Sequence, residues 1–404
     1  MYIVNRFSHG DSGADGLEGF GQGEALLGEP HCLDEIEDRL HFFTEECDYL
    51  QGFHILCDIH NGFSGLGTKM AELLHDEHPG RGIISWGTCP VLSPYRDRQK
   101  DVYQLLNCIM GIVRLSSHSS LFCPLTLNSS LGLRPGPPVA LPNVLYNTEW
   151  QYHSSAVLAV TVDTLTAAYR TSSCRLSMTQ LAETLNFCGR KVTTAASSLP
   201  FPVGPSTSLP DSLFPYLRFP PWIPLSASGG QHLSEGGRSF SQLAVMRGVS
   251  VDPHISHNPA GTRPRSALHS GGSNEDVLQC YLQTVFPGAV SVANVLQSQC
   301  ILGPTFPQFF SPYVTKDGFT MQEPLKDPPD VHSIPVLAAL QTTPALEHTL
   351  LSLYHDLKKV DVRRWPSWFT AGTEESDFQE ALNDLRTLAY CYSNRPGHET
   401  DDSD

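Results

Sequence analysis

Asn61-Gly62-Phe63-Ser64-Gly65-Leu66-Gly67 is the stretch of this chain best suited to chemistry. Its glycines let backbone amides come close to a ligand, because no Cβ stands in the way. Residues 53–59 before it are an apolar run of strand length. Residues 68–77 after it have good helix composition, with Met70, Ala71, Leu73 and Leu74 on one side. Residues 60–67 are too glycine-rich for helix or strand and read as a turn from a strand into a helix. The first amides of a helix are unpaired and its dipole favours negative charge there, so the chemistry is anion binding. Asn61, Gly62, Ser64, Gly65 and Gly67 form a candidate phosphate loop, with the Ser64 hydroxyl assisting. The bland alternative is a turn that keeps its shape and holds no ligand, since one glycine loop is a weak signal.

Other chemistry-bearing patterns fail on spacing. His9-Gly10-Asp11-Ser12-Gly13 carries the letters around a trypsin-like serine, but the partner His and Asp would have to lie far upstream. Asp11, Gly13, Asp15 and Gly16 echo a calcium loop whose twelfth position is Gln22, not a bidentate Glu. Gly62-Phe63-Ser64-Gly65-Leu66 misses the nucleophile elbow at its fifth residue. The 17 histidines are dispersed, and the eleven cysteines contain no CxxC pair. Such cysteines read as reduced, mostly buried thiols of a cytosolic setting, with neither a disulfide framework nor a zinc site expected.

The elements that position the loop follow from periodicity. Leu33, Ile36, Leu40, Phe43, Cys47 and Leu50 recur at helical steps, with acids on the other face. Residues 83–86 begin the strand after the loop helix, and residues 103–113 suggest a further helix. Residues 129–143 are loop, and residues 156–169 form an apolar helix. Residues 1–29 and 200–275 are weakly patterned, apart from a strand at 240–246. A strand at 334–340 and helices at 346–360 and 377–392 follow, the last opened by the acidic turn Glu374-Glu375-Ser376-Asp377. Single helices follow the first strands, and helices and strands mix later, so the fold class is α/β followed by α+β.

The 404 residues hold two or three domains, with 40% apolar and 17% charged residues. A net charge of −16 opposes binding to nucleic acid or anionic lipid. No apolar run approaches the ~20 residues of a membrane span.

Several segments, in order, resemble the tubulin and FtsZ superfamily. Cys47-Asp48-Tyr49-Leu50-Gln51-Gly52-Phe53 is similar to tubulin's CDCLQGF, and residues 61–67 fall where that family carries its GGGTGSG phosphate signature. Leu199-Pro200-Phe201-Pro202 is similar to VPFP, Ala244-Val245-Met246-Arg247-Gly248 to AVFRG, and residues 363–372 to RRKAFLHWYTGEG. Residues 20–24 and 37–42 match in wording the Misato family, tubulin-related proteins associated with mitochondrial distribution and morphology. The resemblance implies a partial tubulin-like nucleotide domain at 1–115, a connecting helix and loop region at 116–152, a second domain at 153–345, and C-terminal helices with an acidic tail at 346–404.

The resemblance also implies function. It points to a non-catalytic regulator of mitochondrial distribution, morphology and fusion, in the cytoplasm and peripherally at the mitochondrial outer membrane. Its partners would be outer-surface mitochondrial proteins and tubulin, and its cofactor, if any, weakly held GTP. Three departures lower nucleotide use. Phe63 replaces a signature glycine, residues 174–181 lack the carboxylate of tubulin's catalytic loop, and only about sixty residues precede the phosphate loop, without a GQxGxQ-type first loop. The chain thus reads as a Misato-type sequence short of its N-terminal strands, with an open sheet edge that calls for a partner. A GTPase that assembles with tubulin or into filaments stays open as the alternative, as does an inert form that competes for partners.

Overall fold

A computed structural model describes residues 16–91, 97–171, 176–205, 207–227, 238–249, 266–369 and 372–393. The Asp11 segment, Cys174-Arg175 and the acidic tail at 399–404 lie outside these residues. The chain opens with helices α1 (Phe20–Leu27) and α2 (Pro30–Glu45). It then alternates strictly: β1 (Gly52–Asp58), α3 (Phe63–Glu77), β2 (Gly82–Thr88), α4 (Arg98–His118) and β3 (Leu121–Leu125). These strands form a parallel sheet in the order β1-β2-β3, with Leu56 beside Trp86 and Asp58 beside Thr88. Every residue of β3 is buried, as parallel strands covered on both faces should be.

Two sequence expectations need correction. Residues 63–67 are helical, because α3 starts at Phe63 and the turn is confined to residues 59–62. Residues 20–27, read as weakly patterned, form α1, whose Phe20, Gly23, Leu26 and Leu27 are buried. The sheet also runs past residue 115 into β3.

Helix α4 owes its length to a good start and a broad apolar face. The Asp97 carboxylate accepts from the Gln99 amide, and Val102, Leu105, Leu106, Ile109, Ile112 and Val113 are buried. After it, α5 (Gln151–Arg170) and α6 (Met178–Leu185) lead into the second half. That half comprises β4 (Thr194–Ser198), α7 (Leu209–Leu213), β5 (Ile223–Pro224), β6 (Ser241–Arg247), α8 (Asn274–Val285), β7 (Val290–Leu296), β8 (Cys300–Ile301), β9 (Ser333–Ile334) and β10 (Val336–Thr342). Its main sheet is mixed, in the order β5-β4-β10-β6-β7, with only β6 and β7 parallel. Helices α9 (Ala345–Lys358), α10 (Pro366–Phe369) and α11 (Glu375–Tyr390) close the chain. An α/β part followed by an α+β part is therefore the observed architecture.

The two sheets share one core. Ile84, Trp86 and Leu125 of the first meet Leu243, Val245 and Leu340 of the second, with Leu165 and Tyr169 of α5 between them. The C-terminus is tied into the first half. Helix α11 packs on α4 and α9, and buried Tyr392 closes the join through its hydroxyl. That hydroxyl donates to the Val192 carbonyl at 2.7 Å and accepts from the Val192 amide at 2.8 Å.

Candidate functional site

The candidate phosphate loop spans the turn at Asn61 and Gly62 and the start of α3, where Ser64, Gly65 and Gly67 lie. Its amides are engaged within the chain. Gly62 N–H donates to the Leu17 carbonyl at 2.9 Å, Phe63 N–H to Asn61 Oδ1 at 3.0 Å, and Ser64 N–H to the Asn61 carbonyl at 3.1 Å. Gly65 and Leu66 donate to the Gly62 carbonyl at 3.0 and 3.3 Å. The Ser64 hydroxyl is fully buried and donates to the Asn61 carbonyl at 2.8 Å.

The glycines serve a helix contact. A Cβ on Gly65 would overlap the Phe20 carbonyl oxygen of α1, and one on Gly62 would stand 2.6 Å from the Gly19 carbonyl oxygen. Both positions therefore admit only glycine while α1 crosses α3 this closely. Gly67 lies against Cys57 of β1. A buried amide locks the arrangement. Asn107 of α4 accepts at Oδ1 from the Phe20 amide and from Trp368 Nε1, both at 2.9 Å. Its Nδ2 donates to the Glu18 carbonyl at 2.6 Å and to the His60 carbonyl at 3.3 Å.

A cleft of about 1070 Å³ opens beside this turn, at the carboxyl ends of β1, β2 and β3. Ligands of open α/β sheets bind at that end. Of the sequence-predicted site residues only Asn61 reaches it, whereas Gly62, Ser64, Gly65 and Gly67 do not line it. Its floor includes Leu56, Asp58 and Thr88, and one wall is the face of α5 with Leu158, Val162 and Arg170. Asp58 accepts from the Thr88 hydroxyl at 2.6 Å. On α5, Asp163 binds Arg170 and Arg247, each at 2.5 Å, so one carboxylate is shared by two guanidinium groups.

His54 sits on the same face of β1. Trp86 Nε1 donates to its Nδ1 at 3.0 Å, and Nε2 lies 3.1 Å from the Tyr169 hydroxyl. The ring stacks between Trp86 and Tyr169, with its outer edge in solvent. Lost hydration, and secondarily the charge of Arg170, pull its pKa down to about 4. Burial, with Asp58 adding, pushes the Cys57 thiol up to about 12, so it is no nucleophile at neutral pH.

The acid-free stretch sits elsewhere. Residues 176–181 lead into α6, where Met178 accepts no cleft role: its amide donates to Gln51 Oε1 at 3.1 Å beside the N-terminal end of β1. Among the described residues no cluster of His, Cys, Asp or Glu could hold a metal ion. The sequence reading missed Asn107 and the cleft face of α5. A lone asparagine within the apolar stripe Tyr103, Leu106, Met110 and Val113 was the available sign of a buried polar anchor.

Comparison with known proteins adds identity to this geometry. A family model for the tubulin domain matches residues 7–171. The Homo sapiens "Protein misato homolog 1" is 47% identical over 392 residues, covering 96% of this chain and 67% of the human protein. The Bos taurus protein of the same name is 48% identical over 392 residues, with the same coverage. The Drosophila melanogaster "Protein misato" is 28% identical over 404 residues, covering 95% of this chain and 67% of the fly protein.

Proposed function

Because the chain belongs to the Misato family of tubulin-like proteins, we propose that it is a non-catalytic regulator of mitochondrial distribution, morphology and fusion. It works in the cytoplasm and at the mitochondrial outer membrane, held there peripherally by outer-surface proteins. The organelle comes from the family resemblance. The non-catalytic part rests on one observation: residues 62–66 spend their amides on Leu17, Asn61 and Gly62, so they are not offered to a phosphate. No helix among the described residues is long and apolar enough to cross a membrane, which suits attachment through protein partners. The test is depletion in cells, imaging of the mitochondrial network, and rescue by this chain. Collapse or fragmentation of the network, reversed by rescue, is the expected outcome. An unchanged network after complete loss removes the reading.

The cleft favours a second reading, a GTPase that assembles with tubulin or into filaments. Its volume of about 1070 Å³ and its place at the carboxyl ends of parallel strands suit a nucleotide. Purified protein with GTP, followed by phosphate release and sedimentation, separates the two. Sustained turnover with pelleting establishes the enzyme; neither, with weak or absent GTP binding, leaves the regulator.

A further inference from the structure

Lys358, Lys359, Arg363 and Arg364 place four of the chain's 26 lysines and arginines within seven consecutive residues. In a chain of net charge −16 this is a local reversal of sign. The segment runs from the last turn of α9 through a single 3-10 turn, Val362–Arg364, toward α10. Its apolar residues hold it down. Val360, Val362 and Trp365 pack against the core that α4, α9 and α11 share, and Trp365 meets the Tyr103 ring edge-on at 6.3 Å. The four cationic side chains are left in solvent, Lys359 at 69% and Arg364 at 74%.

A fifth cation comes from far along the chain. Asp356 of α9 accepts from the Leu133 amide at 3.2 Å and from Lys359 Nζ at 2.9 Å. Gly132 lies against the same carboxylate. Its φ is +133°, and a Cβ there would stand 2.6 Å from Asp356 Oδ2. The loop carrying Leu133 is thereby pinned to the end of α9, and exposed Arg134 is the next residue. The acids of this surface are already engaged, Asp356 as above and Asp361 by Arg364 at 3.2 Å. Among the described residues no carboxylate pairs with Arg134, Lys358 or Arg363.

From these observations we infer that the surface formed by Arg134, Lys358, Lys359, Arg363 and Arg364 docks a short acidic segment of a partner protein. The arginine forks match carboxylates, which they grip through two parallel hydrogen bonds. A single exposed ion pair contributes little, so the segment engages several of the five cations together. Length separates this partner from other polyanions. At physiological salt a charge is felt over about 8 Å. A few acidic residues therefore meet the patch alone. An anionic membrane or a long nucleic acid extends past it onto the acidic remainder of the surface, and a chain of charge −16 repels it there.

The experiment uses the whole chain and a short fluorescent peptide alternating glutamate and serine. The same peptide with glutamine for glutamate is the control. Anisotropy at physiological salt gives the affinity, and binding of the acidic peptide alone is expected. Arg363→Glu with Arg364→Glu should weaken it at least about tenfold, and Arg134→Glu at least about threefold. Lys316→Glu with Lys326→Glu makes the same change in net charge at exposed positions of the other half, and should alter affinity less than about twofold. Circular dichroism checks each fold, and Arg363→Gln with Arg364→Gln repeats the test should charge reversal disturb it. Absence of binding by the wild type overturns the proposal. So does equal weakening by the two double charge reversals, because net charge alone then acts, and so does Arg134→Glu binding as the wild type does. Tighter binding of a uridine oligonucleotide or of phosphatidylserine vesicles than of the peptide also overturns it, because the partner is then of another class. The assay reads the surface itself and is independent of where in the cell the chain works.

Discussion

Asn107 shows what one buried amide does in this protein. Four hydrogen bonds from one side chain join α4 to the entry of α1, to the turn after β1 and to Trp368. Replacing it by alanine strands two buried donors, each costing about 1–3 kcal/mol. Asn107→Ala should therefore lower the unfolding free energy by about 3 kcal/mol, read from urea titration. A loss below about 1 kcal/mol would mean that water replaces the amide. His54 gives a pH signature. The unfolded chain protonates it below about pH 6.5, whereas the folded chain does so only near 4. Between these values the unfolded state binds more protons, so acid favours unfolding and the contribution is complete only above about pH 6.5. Urea midpoints at pH 7.5, 5.5 and 4.5 should fall less steeply for His54→Gln than for the wild type. Parallel slopes would show that His54 does not titrate as its stacked site requires.

At the scale of elements, the α1–α3 crossing decides what the glycine segment is for. Valine at Gly65 meets the Phe20 carbonyl directly and the Glu24 amide at 2.9 Å, and neither is a flexible side chain. Overpacking of this kind costs about 1–3 kcal/mol or more. In Gly65→Val, α1 should come away, with faster amide exchange over residues 20–27 and unchanged exchange in β6 and β10. If that variant keeps α1 protected, the crossing is looser than its backbone contacts indicate. Tyr392 is the matching clasp at the other terminus. Tyr392→Phe removes a hydroxyl that both donates to and accepts from Val192, and should cost about 1–2 kcal/mol, measured by thermal unfolding.

For the whole molecule, net charge tests the proposed attachment to mitochondria through proteins. At −16 the chain should not cosediment with anionic vesicles at physiological salt. It should bind isolated mitochondria, and lose that binding when their surface proteins are shaved with protease. Cosedimentation with bare anionic vesicles would sink docking through proteins. The two sheets share one core, to which α5 contributes Leu165 and Tyr169.

How much of this was legible beforehand differs by element. Strand β1, the helix after it and β2 were readable within a few residues, because an apolar run, a glycine segment and an amphipathic stripe are local signals. The C-terminal helix was readable from its acidic first turn, and Glu375 and Asp377 do occupy that turn. Order and wording of short segments carried family membership, borne out by relatives matched over most of the chain, and the α/β-then-α+β class, borne out by the tubulin-domain match and the observed elements. Three things were decided only in three dimensions. Helix α1 has little periodicity of its own and is held by Asn107, a residue 87 positions away from Phe20. The Gly62 amide turned inward because Leu17 reaches it, which no spacing within the loop encodes. The cleft exists because α5 lies across the carboxyl ends of three strands, leaving Leu56 uncovered beside it. Local sequence sets what a segment prefers to be; which polar groups remain unpaired, and which surface remains open, depends on partners distant in the chain, and only the folded structure brings those together.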